Sequence, residues 1–144
     1  MEKSNYRKAI LSIIRSGHRL TDEVSLALKE YEISEPQFNV MRILRGAKGQ
    51  PYTVQDISAR MIQRSSNVTR IIDKLLKRGF VERRECASNR RKMDILITSK
   101  GLQYLKKLDK KLNSFHKNYK NNLSEKEQKT LCKLIHKLIP NEND

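Results

Sequence analysis

TVQDISARMIQRSSNVTRIIDKLLKRGFVERRECASNRRKMDILITSKG, residues Thr53 to Gly101, reads as two helices followed by a basic β-hairpin. Thr53 with Asp56 three positions on is a helix-capping pattern, and Val54, Ile57 and Met61 give that helix an inward side. Gln63 and Arg64 make a turn, and Ser65 and Ser66 open the next helix. There Val68, Ile71, Ile72, Leu75 and Leu76 follow the i, i+3, i+4, i+7, i+8 spacing of a single buried stripe. Gly79 stands where a glycine ends a helix in the left-handed conformation. Phe80 to Arg84 and Met93 to Ile97 follow as strands, the second alternating Met93, Ile95 and Ile97 with Asp94 and Leu96. Between them lie eight residues, Glu85 to Lys92. This long basic loop is a wing, with Arg90, Arg91 and Lys92 at its tip.

Charge is concentrated in the same stretch. From Arg60 to Lys92 there are eleven Lys or Arg against Asp73, Glu82 and Glu85, leaving +8 of the chain's +15 in 33 of 144 residues. With the apolar stripe turned inward, helical geometry sends Ser66, Asn67, Arg70, Asp73, Lys74 and Lys77 outward. A basic, hydroxyl-rich face of this kind suits the DNA major groove. If the N-terminal end of the helix enters the groove, Ser65 to Arg70 reach base edges. Arg70 can grip guanine O6 and N7, Asn67 adenine N6 and N7, and Ser66 and Thr69 can serve either base. The wing residues Arg90, Arg91 and Lys92 suit a narrow minor groove, where arginine reads shape. Arg83, Arg84, Arg60, Arg64 and Lys77 suit phosphate. The plain alternative is a solvated helix face, but the capped preceding helix and the arginine-rich wing beside it favour nucleic acid.

The bulk composition narrows the partners. The length fits one domain, or one domain plus dimerisation helices. At 37% apolar and 33% charged residues, with a mean hydropathy of −0.74, a core shared with a partner through long helices fits the balance. A charge of +15 and a pI near 10 favour DNA, RNA or an anionic membrane surface. No run approaches 18 apolar residues, and the N-terminus lacks a signal-peptide layout, so a cytoplasmic location is expected. Cys86 and Cys132 lack metal-ligand spacing. Cys86 lies among Arg83, Arg84 and Arg90, which leaves a redox sensor open beside the leading reading of an inert thiol. His18, His116 and His136 form no zinc pattern. No Ser/His/Asp grouping, phosphate loop or paired-carboxylate site stands out, so neither an enzyme nor a cofactor is expected.

The flanks are helical. Ser4 to about Tyr31 carries Ile10, Ile13, Ile14, Leu20, Val24, Ala27, Leu28 and Tyr31 on a loose stripe, with Gly17 marking a candidate bend. Ser34-Glu35-Pro36-Gln37 is a strong helix start, and Phe38, Met41, Ile43 and Leu44 form the buried face behind it. Gly46 and Gly49 end that helix. Leu102, Leu105, Leu108, Leu112, Phe115 and Tyr119 are spaced close to a coiled-coil seam. Ser124 to Glu127 caps a last helix with Leu131, Leu134, Ile135, Leu138 and Ile139 on one face. A small winged core cannot cover three helices of this length, whereas a second copy can.

Helix, turn, helix, Gly79-Phe80-Val81-Glu82-Arg83, a basic wing and Ile95-Leu96-Ile97-Thr98-Ser99-Lys100-Gly101 together resemble the multiple antibiotic resistance regulator (MarR) family. Val68-Thr69-Arg70 with Leu75-Leu76 and Gly79 is similar to its recognition helix. The resemblance covers essentially the whole chain, though the flanks match only in pattern. It implies a mainly α fold, a winged helix-turn-helix core with a two- to three-stranded β wing. It also implies an N-terminal dimerisation helix over 1–34, a DNA-binding domain over 35–101 and C-terminal dimerisation helices over 102–144. Such a dimer mostly represses transcription and holds a pocket for a small-molecule or oxidant signal between its dimerisation and DNA-binding parts. The family's wing usually carries Asp-x-Arg, the acid orienting the arginine that enters the minor groove. Here Asn89 replaces the acid and Arg91 matches the arginine, so Asn89 can accept a hydrogen bond from Arg91 but brings no charge. A subgroup senses peroxide through a cysteine in the first helix, and no cysteine precedes Cys86.

Two functional readings follow. The leading one is a homodimeric, sequence-specific regulator of transcription on a pseudo-palindromic double-stranded DNA site. The rival is a winged module that binds nucleic acid or an acidic protein without sequence choice. Ser66, Asn67, Thr69 and Arg70, donors and acceptors suited to base edges, argue for the first.

Overall fold

The computed structural model describes residues 4–64 and 67–140. Among them run α1 (Asn5–Lys29), α2 (Glu35–Gly46), α3 (Val54–Arg60), α4 (Val68–Lys77), β1 (Val81–Cys86), β2 (Asn89–Ile97), α5 (Ser99–Lys120) and α6 (Glu125–Leu138). The mainly α, winged architecture read from the sequence is therefore present. The chain divides into two compact units, residues 1–109 and 110–144.

α2, α3 and α6 start where a side chain satisfies orphan backbone N–H groups. Ser34, Thr53 and Ser124 each form a reciprocal capping box, with Gln37, Asp56 and Glu127 respectively. Pro36 sits in the first turn of α2, where its missing N–H leaves no gap. That helix buries Phe38, Val40, Met41 and Leu44. Val40 thus takes the place the sequence reading gave to Ile43, which is only half-buried. α1 runs unbroken across Gly17, and only Leu28 is buried along it.

The first unit's core gathers Leu28, Met41, Ile57, Ile72, Leu75, Ile95, Leu105 and Leu108, all under 2% exposed. α4 ends in a Schellman motif. The Gly79 N–H donates to the Leu76 carbonyl at 2.9 Å and the Phe80 N–H to the Leu75 carbonyl at 3.0 Å, with Gly79 at φ +72°. The chain therefore leaves α4 on a fixed heading into β1. Thr98 ties the far end of the hairpin to the same corner. Its hydroxyl donates to the Gly79 carbonyl at 2.6 Å and accepts from the Gly101 N–H at 3.1 Å. A Cβ at Gly101 would collide with the Phe80 carbonyl and the Ile97 side chain, which explains glycine at that position.

β1 and β2 pair antiparallel from Val81↔Ile97 to Glu85↔Met93, and Cys86 then pairs with Asn89. Tyr52 adds a short third rung, exchanging backbone hydrogen bonds with Ile95 at 2.8 and 3.2 Å. The hairpin corrects the sequence reading at its tip. The expected eight-residue loop is a two-residue turn, Ala87-Ser88, and both strands run further than expected. Arg90, Arg91 and Lys92 accordingly belong to β2 and not to the tip. They lie between the partners of Cys86 and Glu85, in a bulge with no opposing residues on β1.

Candidate nucleic-acid interface

α3 and α4 form the helix-turn-helix. Ile57, Val68, Ile72 and Leu75 are buried against the core, while Ile71 and Leu76 are half-buried at the margin of the stripe. The turn between the helices is held by the Ile62 N–H, which donates to Asn39 Oδ1 on α2 at 3.0 Å. Ser65 and Ser66, read from the sequence as the start of the second helix and as base contacts, lie outside the described residues. α4 begins at Val68, with Asn67 as its N-cap residue.

The opposite side of α4 carries Thr69, Arg70, Lys74 and Lys77, all exposed, with Asn67 exposed at its start. Asn67, Thr69 and Arg70 thus share the first turn, the part of such a helix that can approach base edges. Asp73 lies on the same outward side, where its Oδ1 accepts a hydrogen bond from Arg83 Nη2 at 2.9 Å.

On the wing, Arg90, Arg91 and Lys92 are exposed. Asn89 Oδ1 accepts from the Arg91 backbone N–H at 3.0 Å, so the donor is the main chain and not the expected guanidinium. The asparagine therefore shapes the backbone entering the bulge. Arg84 forms an ion pair with Glu82 on its own strand. Cys86 is half-buried, with Sγ 3.2 Å from Ser88 Oγ.

Electrostatics extend from the wing to α3. The Asp56 carboxyl is held below its ordinary value, first by the Thr53 backbone N–H, then by the Thr53 hydroxyl, with the fields of Arg60 and Lys92 adding to both. Arg60 itself lies over the Tyr52 ring at 4.4 Å and donates to the Asp56 carbonyl at 2.9 Å.

Arg78 belongs to a different role from the one its charge suggests. It donates to the Glu32 carbonyl at 2.7 Å, to the Tyr31 carbonyl at 3.4 Å and to the Tyr104 hydroxyl at 3.2 Å. Its guanidinium also lies 4.7 Å from the Phe80 ring centre and 5.2 Å from that of Tyr104. Sequence reading counted it only in the basic charge between Arg60 and Lys92 and missed this. No local signal could have found it, because its carbonyl acceptors, Glu32 and Tyr31, lie 46 and 47 positions away in the chain.

Among the described residues, no group of three or more His, Cys, Asp or Glu side chains is placed to hold a metal ion. No described helix is long and apolar enough to cross a membrane.

The MarR family model matches residues 33–93, from the end of α1 to the wing. The HTH-type transcriptional regulator PrsX of Escherichia coli is 32% identical over 95 residues, covering 66% of this chain and 57% of that protein. The chain thus spans little more than half the length of the curated relatives it matches. Among solved structures, a MarR-like transcription regulator from Bacillus cereus superposes with a TM-score of 0.79 at 25% identity, covering 94% of this chain and 96% of the other. The S. aureus MepR–DNA complex gives a TM-score of 0.77 at 18% identity over 94% of this chain and 96% of that one, a likeness of fold.

Proposed function

We propose, from the premise that this chain belongs to the MarR family, that it is a sequence-specific double-stranded DNA-binding regulator of transcription. It acts as a homodimer on a pseudo-palindromic site, with repression the sense that its family resemblance favours. The observation that carries the reading is the outward side of α4. Asn67, Thr69, Arg70 and Lys74 stand exposed over a buried stripe, next to a wing whose Arg90, Arg91 and Lys92 are also exposed. In this reading the first turn of α4, together with Ser65 and Ser66, meets base edges in the major groove. Arg90, Arg91 and Lys92 reach the adjoining minor groove from the side of the wing, Asn89 sets their backbone, and Arg84 meets phosphate. A fold shared with a protein crystallised on DNA supports this.

The helices on either side of the winged core, over 1–34 and 102–144, serve to pair two copies. Tyr6, Leu11, Ile14 and Leu20 on α1 and Leu131, Leu134, Ile135 and Leu138 on α6 are exposed apolar side chains on helices of this chain. A second copy is the partner that such stripes suit. Two such copies read half-sites about 10–10.5 bp apart, centre to centre. Release by a small-molecule effector and a cytoplasmic location complete the reading.

The test is selection of bound duplexes from a random pool, followed by binding to the best duplex against excess random competitor at near-physiological salt. Enrichment of a two-fold-related sequence is expected, and binding that random competitor abolishes would favour the non-specific module instead. Arg70→Ala should cost about 1–3 kcal/mol on the best duplex and relax its preference there. Arg84→Ala should weaken all duplexes alike and lower the salt slope by roughly one phosphate contact.

A further inference from the structure

An acid on the outward side of a DNA-reading helix repels the phosphates that helix must approach. Asp73 is such an acid, half-exposed in the second turn of α4, and the structure gives it a partner. Along β1, side chains alternate between faces, so Arg83 shares the side of Val81, which is buried. In the ladder it stands opposite Ile95, which is fully buried. Arg83 is itself exposed, yet its guanidinium meets α4, the element packed against that side of β1. Arg83 Nη2 reaches Asp73 Oδ1 at 2.9 Å, with the Arg83 side chain 33% and the Asp73 side chain 50% exposed. The two residues lie on opposite sides of the Gly79 corner. The pair therefore closes a triangle whose other two sides are the Schellman turn and the α4–β1 packing.

We propose that Asp73 is a positioning residue for DNA recognition: by holding Arg83 it fixes the angle between α4 and the wing. Base-edge contacts in one groove and wing contacts in the next are thereby made at the same time. The inference rests on the DNA-reading function proposed above and adds a residue that touches no DNA in that scheme. Glu82, which pairs with Arg84 along one strand, joins no two elements and has no such role.

Charge and positioning predict different outcomes, which makes the proposal testable in the whole chain. Asp73→Asn keeps the shape and removes one negative charge from a surface facing phosphate. If the acid acted only by repulsion, the variant would bind every duplex more tightly. If it positions the wing, the affinity ratio between the selected duplex and a random duplex of equal length falls by roughly fivefold. Binding to the random duplex is then unchanged or tighter. The exchanged pair, Asp73→Arg with Arg83→Asp, should regain most of the lost ratio, a recovery that a merely local effect of either residue would not give. Thermal unfolding of each variant, measured alongside, keeps loss of fold apart from loss of recognition. Equal tightening on both duplexes, or no recovery in the exchanged pair, overturns the proposal while the DNA-reading function stands. A wild-type chain that does not discriminate the two duplexes overturns both.

Discussion

α4 and α6 are written in the same pattern and sit in opposite surroundings. Each carries one apolar stripe at helical spacing with basic residues on the remaining face. On α4, Val68, Ile72 and Leu75 are 4%, 0% and 0% exposed. On α6, Leu131, Leu134, Ile135 and Leu138 are between 37% and 59% exposed. The difference teaches that periodicity states which face must be covered and not what covers it. α4 finds its cover within 60 residues of the chain, in α2, α3 and β1, whose packing the capping boxes and the Gly79 corner direct. The stripe of α6 awaits a surface from elsewhere, which the proposed second copy supplies. Charge follows the same division: on α4 the basic face is backed by a fixed core and can be aimed, and an aimed surface is what reading bases needs.

The comparison breaks most sharply by shortening one leucine on each helix. Leu75→Ala should destabilise the fold by about 2–5 kcal/mol, because its site is closed on every side and the cavity persists. Denaturant titration would show this as a lower midpoint at every protein concentration. Leu134→Ala should leave the unfolding midpoint of a dilute sample nearly unchanged. It should instead weaken self-association by about tenfold, close to 1.4 kcal/mol. Sedimentation across a range of micromolar concentrations measures this. A Leu134→Ala variant that loses stability without any change in association would mean that α6 packs within its own chain.

Caps sharpen the contrast at smaller scale. Thr53→Ala removes an acceptor for the Asp56 N–H at the entrance to the helix-turn-helix, and about 1 kcal/mol of global stability should go with it. Ser124→Ala makes the same chemical change on α6, where no described side chain is buried. Its effect should be confined to fraying of that helix, seen as lost helical circular dichroism with the cooperative transition in place.

What could be read from residues alone was local. The boxes at Ser34, Thr53 and Ser124, the stop at Gly79 and the apolar stripes each state their case within a few neighbouring positions, and the elements formed there. The wing was harder. Arg90 to Lys92 show no apolar alternation and stand in a bulge without partners on β1, so they read as loop, although pairing resumes beyond them at Cys86 and Asn89. Arg78 and Asp73 were legible as charges but not as contacts. Their partners, Tyr31, Glu32 and Tyr104 for the one and Arg83 for the other, come from elements whose meeting only the folded chain decides. The outward side of α4 was legible because it is what remains once the stripe is buried, although Ser65 and Ser66 lie outside the described residues.

The smallest expected effect is the response to acid, and it separates the two regions by where it shows. Asp56 and Glu127 are the carboxylates of two capping boxes, and both titrate below their ordinary values for the same leading reason. A backbone N–H at the cap, from Thr53 or Ser124, donates to the ionised carboxylate, and the cap hydroxyl adds a second donor. A carboxyl whose pKa is lowered by folding contributes stability that is fully present above its unfolded value, 3.8 for Asp56. That contribution is lost as the pH falls through the lower folded value. For Asp56 the loss should lower the cooperative midpoint, since its box opens the helix that supports α4. Arg60 and Lys92 add to its shift, so raising the salt concentration should reduce the loss. For Glu127 the two donors are its own cap, and protonation should fray α6 with little salt dependence. Asp56→Asn should therefore flatten the midpoint against pH below 3.8, and Glu127→Gln should leave that curve as it is. Identical flattening by both would mean that α6 unfolds together with the winged core, and the contrast between α4 and α6 would fail.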